Sequence, residues 1–153
     1  MISKSVFNLC VKNGLTIAFA ESMTGGSLAY EMIKNPGSSK VISGSIIPYS
    51  IEQKVNLLNL SEDQINQYSV VSEFVAKQMA TSIKSIMKSD IGVGVTGNAG
   101  PKKQMNTHNL EAWVAINFKG NITVHKIVFN DLTRLEAIKK TVQITYEMLK
   151  ECF

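Results

Sequence analysis

Three short segments bring together residue types that can do chemistry. The first, Glu21-Ser22-Met23-Thr24-Gly25-Gly26, follows an apolar run and opens a helical pattern. Gly25 and Gly26 allow backbone conformations closed to other residues, and free N–H groups at a helix start hold an anion or an oxyanion. A serine at such a turn can act as a nucleophile. Ser22 and Thr24 are equally the residue types that cap helices, a role that needs no chemistry.

A nucleophilic serine needs a base. Lysine serves only where burial or a neighbouring cation brings its pKa toward neutrality. The second segment offers Lys54, five residues after Tyr49 and just past another apolar run. The plain alternative is a solvated lysine on a short helix. The two histidines fit less well. His125 falls in a strand pattern and His108 in a polar loop, and neither stands at a telling spacing from a carboxylate, so a Ser-His-Asp triad has little support.

The third segment is Val95-Thr96-Gly97-Asn98-Ala99-Gly100-Pro101. Thr96 offers a hydroxyl, and Gly97 and Gly100 offer backbone N–H groups. The segment lacks the lysine and spacing of a P-loop, and an ordinary loop is the alternative. Glu21, Asp63, Asp90 and Asp131 are scattered, and Cys10 and Cys152 lie near opposite ends. No metal or disulfide framework is expected.

The elements that must position these segments are legible from periodicity. Residues 3–13 read as a helix with Val6, Phe7, Leu9 and Cys10 on one face, closed by Asn13-Gly14. Leu15 to Ala20 reads as a buried strand, 24–34 as a helix, and Val41 to Ile47 as a strand with an irregularity at Gly44. Short helices follow over Ser50 to Leu58 and after a capping box at Ser61 to Gln64. Ser72 caps a helix over 73–88. Asp90 to Val95 is a strand, and Thr96 to Asn109 a long polar loop. Ala112 to Phe118 and Ile122 to Phe129 form a hairpin. Asp131 is the expected cap of a last helix with Leu135, Ile138, Val142, Tyr146 and Leu149 on one face. This alternation predicts an α/β fold, a three-layer α/β/α domain over 1–153 with a mixed, largely parallel sheet. Ligands sit beyond the carboxyl ends of strands in such sheets, where all three segments begin.

The chain has 153 residues, 44% hydrophobic and 18% charged, which suits one globular domain rather than a disordered chain. No apolar run approaches the roughly 20 residues of a membrane span. The first ten residues lack a signal-peptide core, so the cytoplasm is the expected location. The net charge of +4 is spread along the chain without a basic reading element, so no nucleic-acid or membrane partner is expected.

In this order and spacing the segments resemble the CinA carboxyl-terminal domain family, whose active members are nicotinamide-nucleotide amidases. The family reads Ala-Glu-Ser-Cys-Thr-Gly-Gly at its first turn, and Ala20 to Gly26 follows it with Met23 for the cysteine. Pro36 to Ser39, Tyr49-Ser50 with Lys54, Val71-Ser72-Glu73, Val95-Thr96-Gly97 and Ala99-Gly100-Pro101 match further motifs along almost the whole chain. The resemblance implies deamidation of nicotinamide mononucleotide without a cofactor. It implies Ser22 as nucleophile, Lys54 as base and Tyr49 as helper. Glu21, Thr24, Gly25, Gly26, Thr96, Gly97, Ala99, Gly100 and Arg134 would line the substrate site, with Arg134 toward a phosphate. It also implies a homo-oligomer, and a stand-alone form of a domain otherwise found behind a second one.

Two departures stand out. The glycine-rich stretches after Gly-Pro become Lys103-Gln104-Met105 and His108-Asn109-Leu110-Glu111, and a Gly-Asp-Arg turn becomes Leu132-Thr133-Arg134. Two readings therefore stay open: an active amidase, or a relative without catalysis that binds a nucleotide or a protein partner. Where Lys102 to Leu110 folds separates them.

Overall fold

The computed structural model describes residues 1–101 and 110–153. In chain order the elements are α1 (Ile2–Asn13), β1 (Ile17–Glu21), α2 (Ser27–Ile33), a 3-10 turn (Ser38–Lys40), β2 (Ile42–Ile46), α3 (Ile51–Leu58), α4 (Glu62–Tyr68), α5 (Glu73–Met87), β3 (Ile91–Gly97), β4 (Glu111–Phe118), β5 (Asn121–Val128) and α6 (Arg134–Glu151). The strands make one mixed sheet in the order β2-β1-β3-β4-β5. β1 runs parallel to both β2 and β3, while β3, β4 and β5 are joined antiparallel. All three chemical segments begin at the carboxyl ends of the parallel strands.

β1 and β3 are buried along their whole length, which explains their unbroken runs of apolar and small residues. Ile17, Phe19, Val93 and Val95 face one way, onto α1, α2 and α6 through Val6, Phe7, Leu28, Met32, Tyr146 and Leu149. Ala18 and Ala20 face the other way, toward Leu58, Ile65, Val75, Met79 and Ile83 of α3, α4 and α5. This is the expected three-layer α/β/α arrangement. No helix of the described residues is long and apolar enough to cross a membrane.

Four local expectations need correction. The helix after the first turn starts at Ser27, not residue 24, because Gly25 and Gly26 take φ of 57° and 96°. Thr96 and Gly97 belong to β3 rather than a loop, since they pair with Trp113 and Ala112 of β4. Thr133, not Asp131, caps α6, in a reciprocal box with Glu136. Leu135 lies in the first turn of α6 and is 60% exposed, while Ala137, Thr141 and Thr145 join Tyr146 and Leu149 inside. The two threonines enter the core because each hydroxyl donates to the carbonyl four residues back.

The contact between α5 and β3 depends on glycine. A Cβ at Gly92 would lie 2.2 Å from the Ala80 carbonyl oxygen, and one at Gly94 would lie 2.4 Å from that of Ala76. Helix backbone thus rests directly on strand backbone, and no rotamer change relieves a clash there. Gly94→Ala is expected to cost about 2–3 kcal/mol, read as a lower urea midpoint with an unchanged m-value. An unchanged midpoint would show that α5 shifts freely over the sheet.

Candidate functional site

The first turn is organised by a buried carboxylate. Glu21 ends β1 with no exposed surface, and four donors converge on it. One oxygen accepts from the Thr24 hydroxyl (2.9 Å) and the Leu28 N–H (2.8 Å); the other accepts from the Ala29 N–H (3.1 Å) and the Ser45 hydroxyl (3.0 Å). A carboxylate accepting this many hydrogen bonds at a helix start offsets its own desolvation and satisfies donors that α2 would otherwise leave open. Glu21 is thereby occupied in tying β1, α2 and β2 together. Thr24 serves the same knot.

Ser22 sits between that knot and the sheet. Its N–H donates to Val95 of β3 (3.1 Å), and its carbonyl accepts from Gly25 (3.1 Å). The N–H groups of Met23, Thr24 and Gly26 find no acceptor among the described residues. Met23 packs inward, and its sulfur would lie 2.4 Å from a Cβ at Gly97, so Gly97 is small to admit this side chain.

Lys54 reaches the same place from α3. Ser50 caps that helix by accepting from the Gln53 N–H, which fixes the first turn and aims Lys54 at the core. The side chain is 1% exposed. Its Nζ lies 2.9 Å from the Pro48 carbonyl, 3.3 Å from the Tyr49 carbonyl and 3.4 Å from Ser22 Oγ. No carboxylate pairs with it among the described residues. Burial without a counter-charge pushes the ammonium down from 10.5 to about 8.

The donor count gives this geometry chemical meaning. A neutral amine has two N–H bonds and one lone pair. Donating to the Pro48 and Tyr49 carbonyls uses both N–H bonds and leaves the lone pair for the Ser22 hydroxyl.

The rest of the expected site divides. Arg134, at the start of α6, donates from one guanidinium nitrogen to the Gly100 carbonyl (2.6 Å) and from another to the Tyr49 hydroxyl (2.9 Å). It therefore joins the second and third segments, and it has no carboxylate partner among the described residues. Tyr49 meets Lys54 through its carbonyl, whereas its phenol turns to Arg134. The Thr96 hydroxyl is spent on the Val70 carbonyl (2.7 Å), and Ala99 is buried in the core. Gly100, at φ 83°, packs a would-be Cβ 2.9 Å from Leu110. Gly25 lies exposed at the turn beside the half-buried Gly26. Of the altered stretch 102–111, residues 102–109, His108 among them, lie outside the described residues, while Glu111 already belongs to β4. No cluster of metal-ligating side chains occurs among the described ones. Sequence reasoning missed the carbonyls of Pro48 and Tyr49 and the hydroxyl of Ser45. Only Pro48 left a signal, as a strand-ending residue.

The family model for the CinA C-terminal domain matches residues 1–153. A CinA-like protein of Petrotoga mobilis is 44% identical over 97 residues, covering 63% of this chain and 24% of its own. Another, of Dictyoglomus turgidum, is 43% identical over 101 residues, covering 66% and 25%. The chain thus spans about a quarter of the length of these relatives. Among solved structures, a competence-damaged protein (CinA) superfamily protein of Klebsiella pneumoniae superposes with a TM-score of 0.93 at 25% identity, over 98% of this chain and 94% of the other. A competence/damage inducible protein of Agrobacterium tumefaciens gives 0.93 at 27% identity, over 98% and 92%.

The buried amine makes stability depend on pH. Between about 8 and 10.5 the unfolded chain holds a proton on Lys54 that the folded chain has lost, so stability rises with pH across that window. Relative to Lys54→Met, the wild type should gain on the order of 3 kcal/mol from pH 8 to pH 10.5. Urea unfolding of both proteins along that series measures it. A constant difference would show that Lys54 titrates as an ordinary lysine.

Proposed function

The chain belongs to the CinA C-terminal domain family, and from that membership and the geometry of its site we propose that it is an amidohydrolase. In this reading it deamidates nicotinamide mononucleotide to nicotinate mononucleotide and ammonia. The observation that carries the reading is the buried Lys54 amine, 3.4 Å from Ser22 Oγ and lowered toward neutrality.

Neutral Lys54 takes the Ser22 proton as Oγ attacks the carboxamide carbon. The resulting oxyanion lies toward the open N–H groups of Met23 and Thr24, whose dipoles need no reorganisation. Collapse breaks the C–N bond, and Lys54 returns its proton to the departing nitrogen, which leaves as ammonia. A water molecule, losing its proton to the same amine, then attacks the acyl-serine. The second collapse releases the carboxylic acid and gives the proton back to Ser22. The sum is amide plus water giving acid plus ammonia, with no cofactor.

Arg134 supports an anionic substrate. Among the described residues its contacts are to neutral groups and no carboxylate pairs with it, so a phosphate can take the remaining donors of its fork. Under this reading the carboxamide meets Ser22 while the phosphate lies toward the Gly100–Tyr49 side. Glu21 and Thr24 act by holding the turn rather than by touching substrate.

Replacing Ser22 by alanine should reduce ammonia release from nicotinamide mononucleotide by at least about 10³-fold while leaving the fold intact, since the nucleophile acts as a unit with its base. Ammonia released at the wild-type rate would remove Ser22 from that role. For the wild type, kcat/KM should climb about tenfold per pH unit below 8 and level off above it, as the amine deprotonates. A flat profile across that range, with chemistry limiting, would exclude Lys54 as the base.

A further inference from the structure

The helices on the Phe19 face of the sheet leave a groove at the end where Ser22 lies. α2 follows directly from the serine turn. α6 follows β5, whose last pair, Val128 with Glu111, stands beside the Gly97–Ala112 pair that ends β3. Both helices therefore start at the carboxyl ends of the parallel strands. Between them, and against the first residues of α1, lies a cavity of about 490 Å³, a size that suits a small-molecule ligand. Its mouth borders the candidate site on both lips. Ser27 comes next after Gly26 on one, and Leu135 next after Arg134 on the other.

The walls are apolar where a solvated helix surface would be polar. Tyr30 and Leu135 are 64% and 60% exposed, and both line this groove together with Ile138 and Val142. Exposed apolar side chains gathered around one cavity mark a binding surface. Polarity also changes along its length. Arg134 stands at the mouth, and Lys139 lines the groove just over one turn further along α6. One turn into α2 stands the half-buried Glu31. Its Oε2 accepts from the Ser3 hydroxyl (2.6 Å) and the Lys34 ammonium (2.8 Å), while Oε1 accepts nothing among the described residues.

We propose that this groove is a second nucleoside subsite, and that the chain takes a pyridine dinucleotide as substrate as well as the mononucleotide. The proposal rests on the amidase reading of Ser22 and Lys54 and extends it. With the carboxamide at Ser22 and the first phosphate at Arg134, the rest of a dinucleotide leaves past Leu135 into the groove. Each phosphate of a diphosphate bridge carries one negative charge, and Arg134 and Lys139 supply one cation for each. The second base lies against the Tyr30 ring and Leu135, and its ribose hydroxyls or amino group donate to Glu31 Oε1. A mononucleotide ends at its phosphate and leaves the groove empty. An apolar peptide would cover the walls but leave both cations and the Glu31 oxygen without partners. The reaction is the same for either substrate: the carboxamide C–N bond breaks, water supplies the new oxygen, and the nitrogen leaves as ammonia.

Oxidised nicotinamide adenine dinucleotide is the probe, read by ammonia release and by calorimetric titration of the Ser22→Ala protein. Stacking of the second base should give it a KM about tenfold below that of nicotinamide mononucleotide. Tyr30→Ala should remove that advantage with kcat unchanged, and its effect should be confined to the dinucleotide. Lys139→Glu should weaken the dinucleotide in the same selective way. Ile33→Ala, exposed on α2 but outside the groove, should change neither substrate. Ammonia from the mononucleotide but none from the dinucleotide would overturn the subsite and leave the amidase reading standing. So would a dinucleotide KM that Tyr30→Ala leaves unmoved. Ammonia from neither would count against the amidase reading itself, and the titration then decides the subsite. Tighter binding of the dinucleotide, lost with Tyr30→Ala, would uphold it, and equal binding of the two nucleotides would overturn it.

Discussion

The site depends on an amine held out of water without a counter-charge. Lys54 is 1% exposed and surrounded by acceptors that carry no formal charge: two backbone carbonyls and a serine hydroxyl. Had a carboxylate stood in place of the Pro48 carbonyl, the ammonium would be held charged and useless as a base. Had the side chain reached solvent, it would keep its ordinary affinity for a proton. The structure avoids both, and its cost in stability is the measure of how far the amine is prepared for proton transfer.

Everything around the amine serves to hold it there. Glu21 locks the serine turn to α2 and β2 through four hydrogen bonds, and Ser22 itself is pinned to β3 by its N–H. On the other side, Arg134 links the Tyr49 phenol to the Gly100 carbonyl, and so steadies the segment whose carbonyls orient Nζ. Behind these, the glycines of β3 bring α5 onto the sheet at backbone distance. The site is assembled from four stretches far apart in sequence, and each is positioned by the end of a strand or the start of a helix.

Much of this was legible in the sequence because it is written in periodicity and in side-chain type. The buried strands, the helix faces and the serine–glycine turn follow from local patterns, and the pairing of Ser22 with Lys54 followed from family resemblance more than from spacing. What escaped was decided by tertiary contacts. Thr96 and Gly97 read as loop because glycine and threonine carry no strand signal strong enough to reveal pairing with β4. The burial of Thr141 and Thr145 was hidden as well: their hydroxyls return to the helix backbone and free their methyl groups for the core. The carbonyls that orient Lys54 belong to the backbone, which every residue shares, so no residue type could announce them. The four donors around Glu21 were hidden for the same reason, since they come from three separate elements.

The central claim concerns the protonation of one side chain, and it can be observed without any substrate. With lysine labelled at Cε, an NMR titration of the folded wild type, assigned by the loss of one signal in Lys54→Met, reports that amine directly. A midpoint near pH 8 is the expected result. A midpoint at the ordinary value near 10.5 would mean that Lys54 stays an ammonium at neutral pH, and the proposed serine–lysine chemistry would have no base.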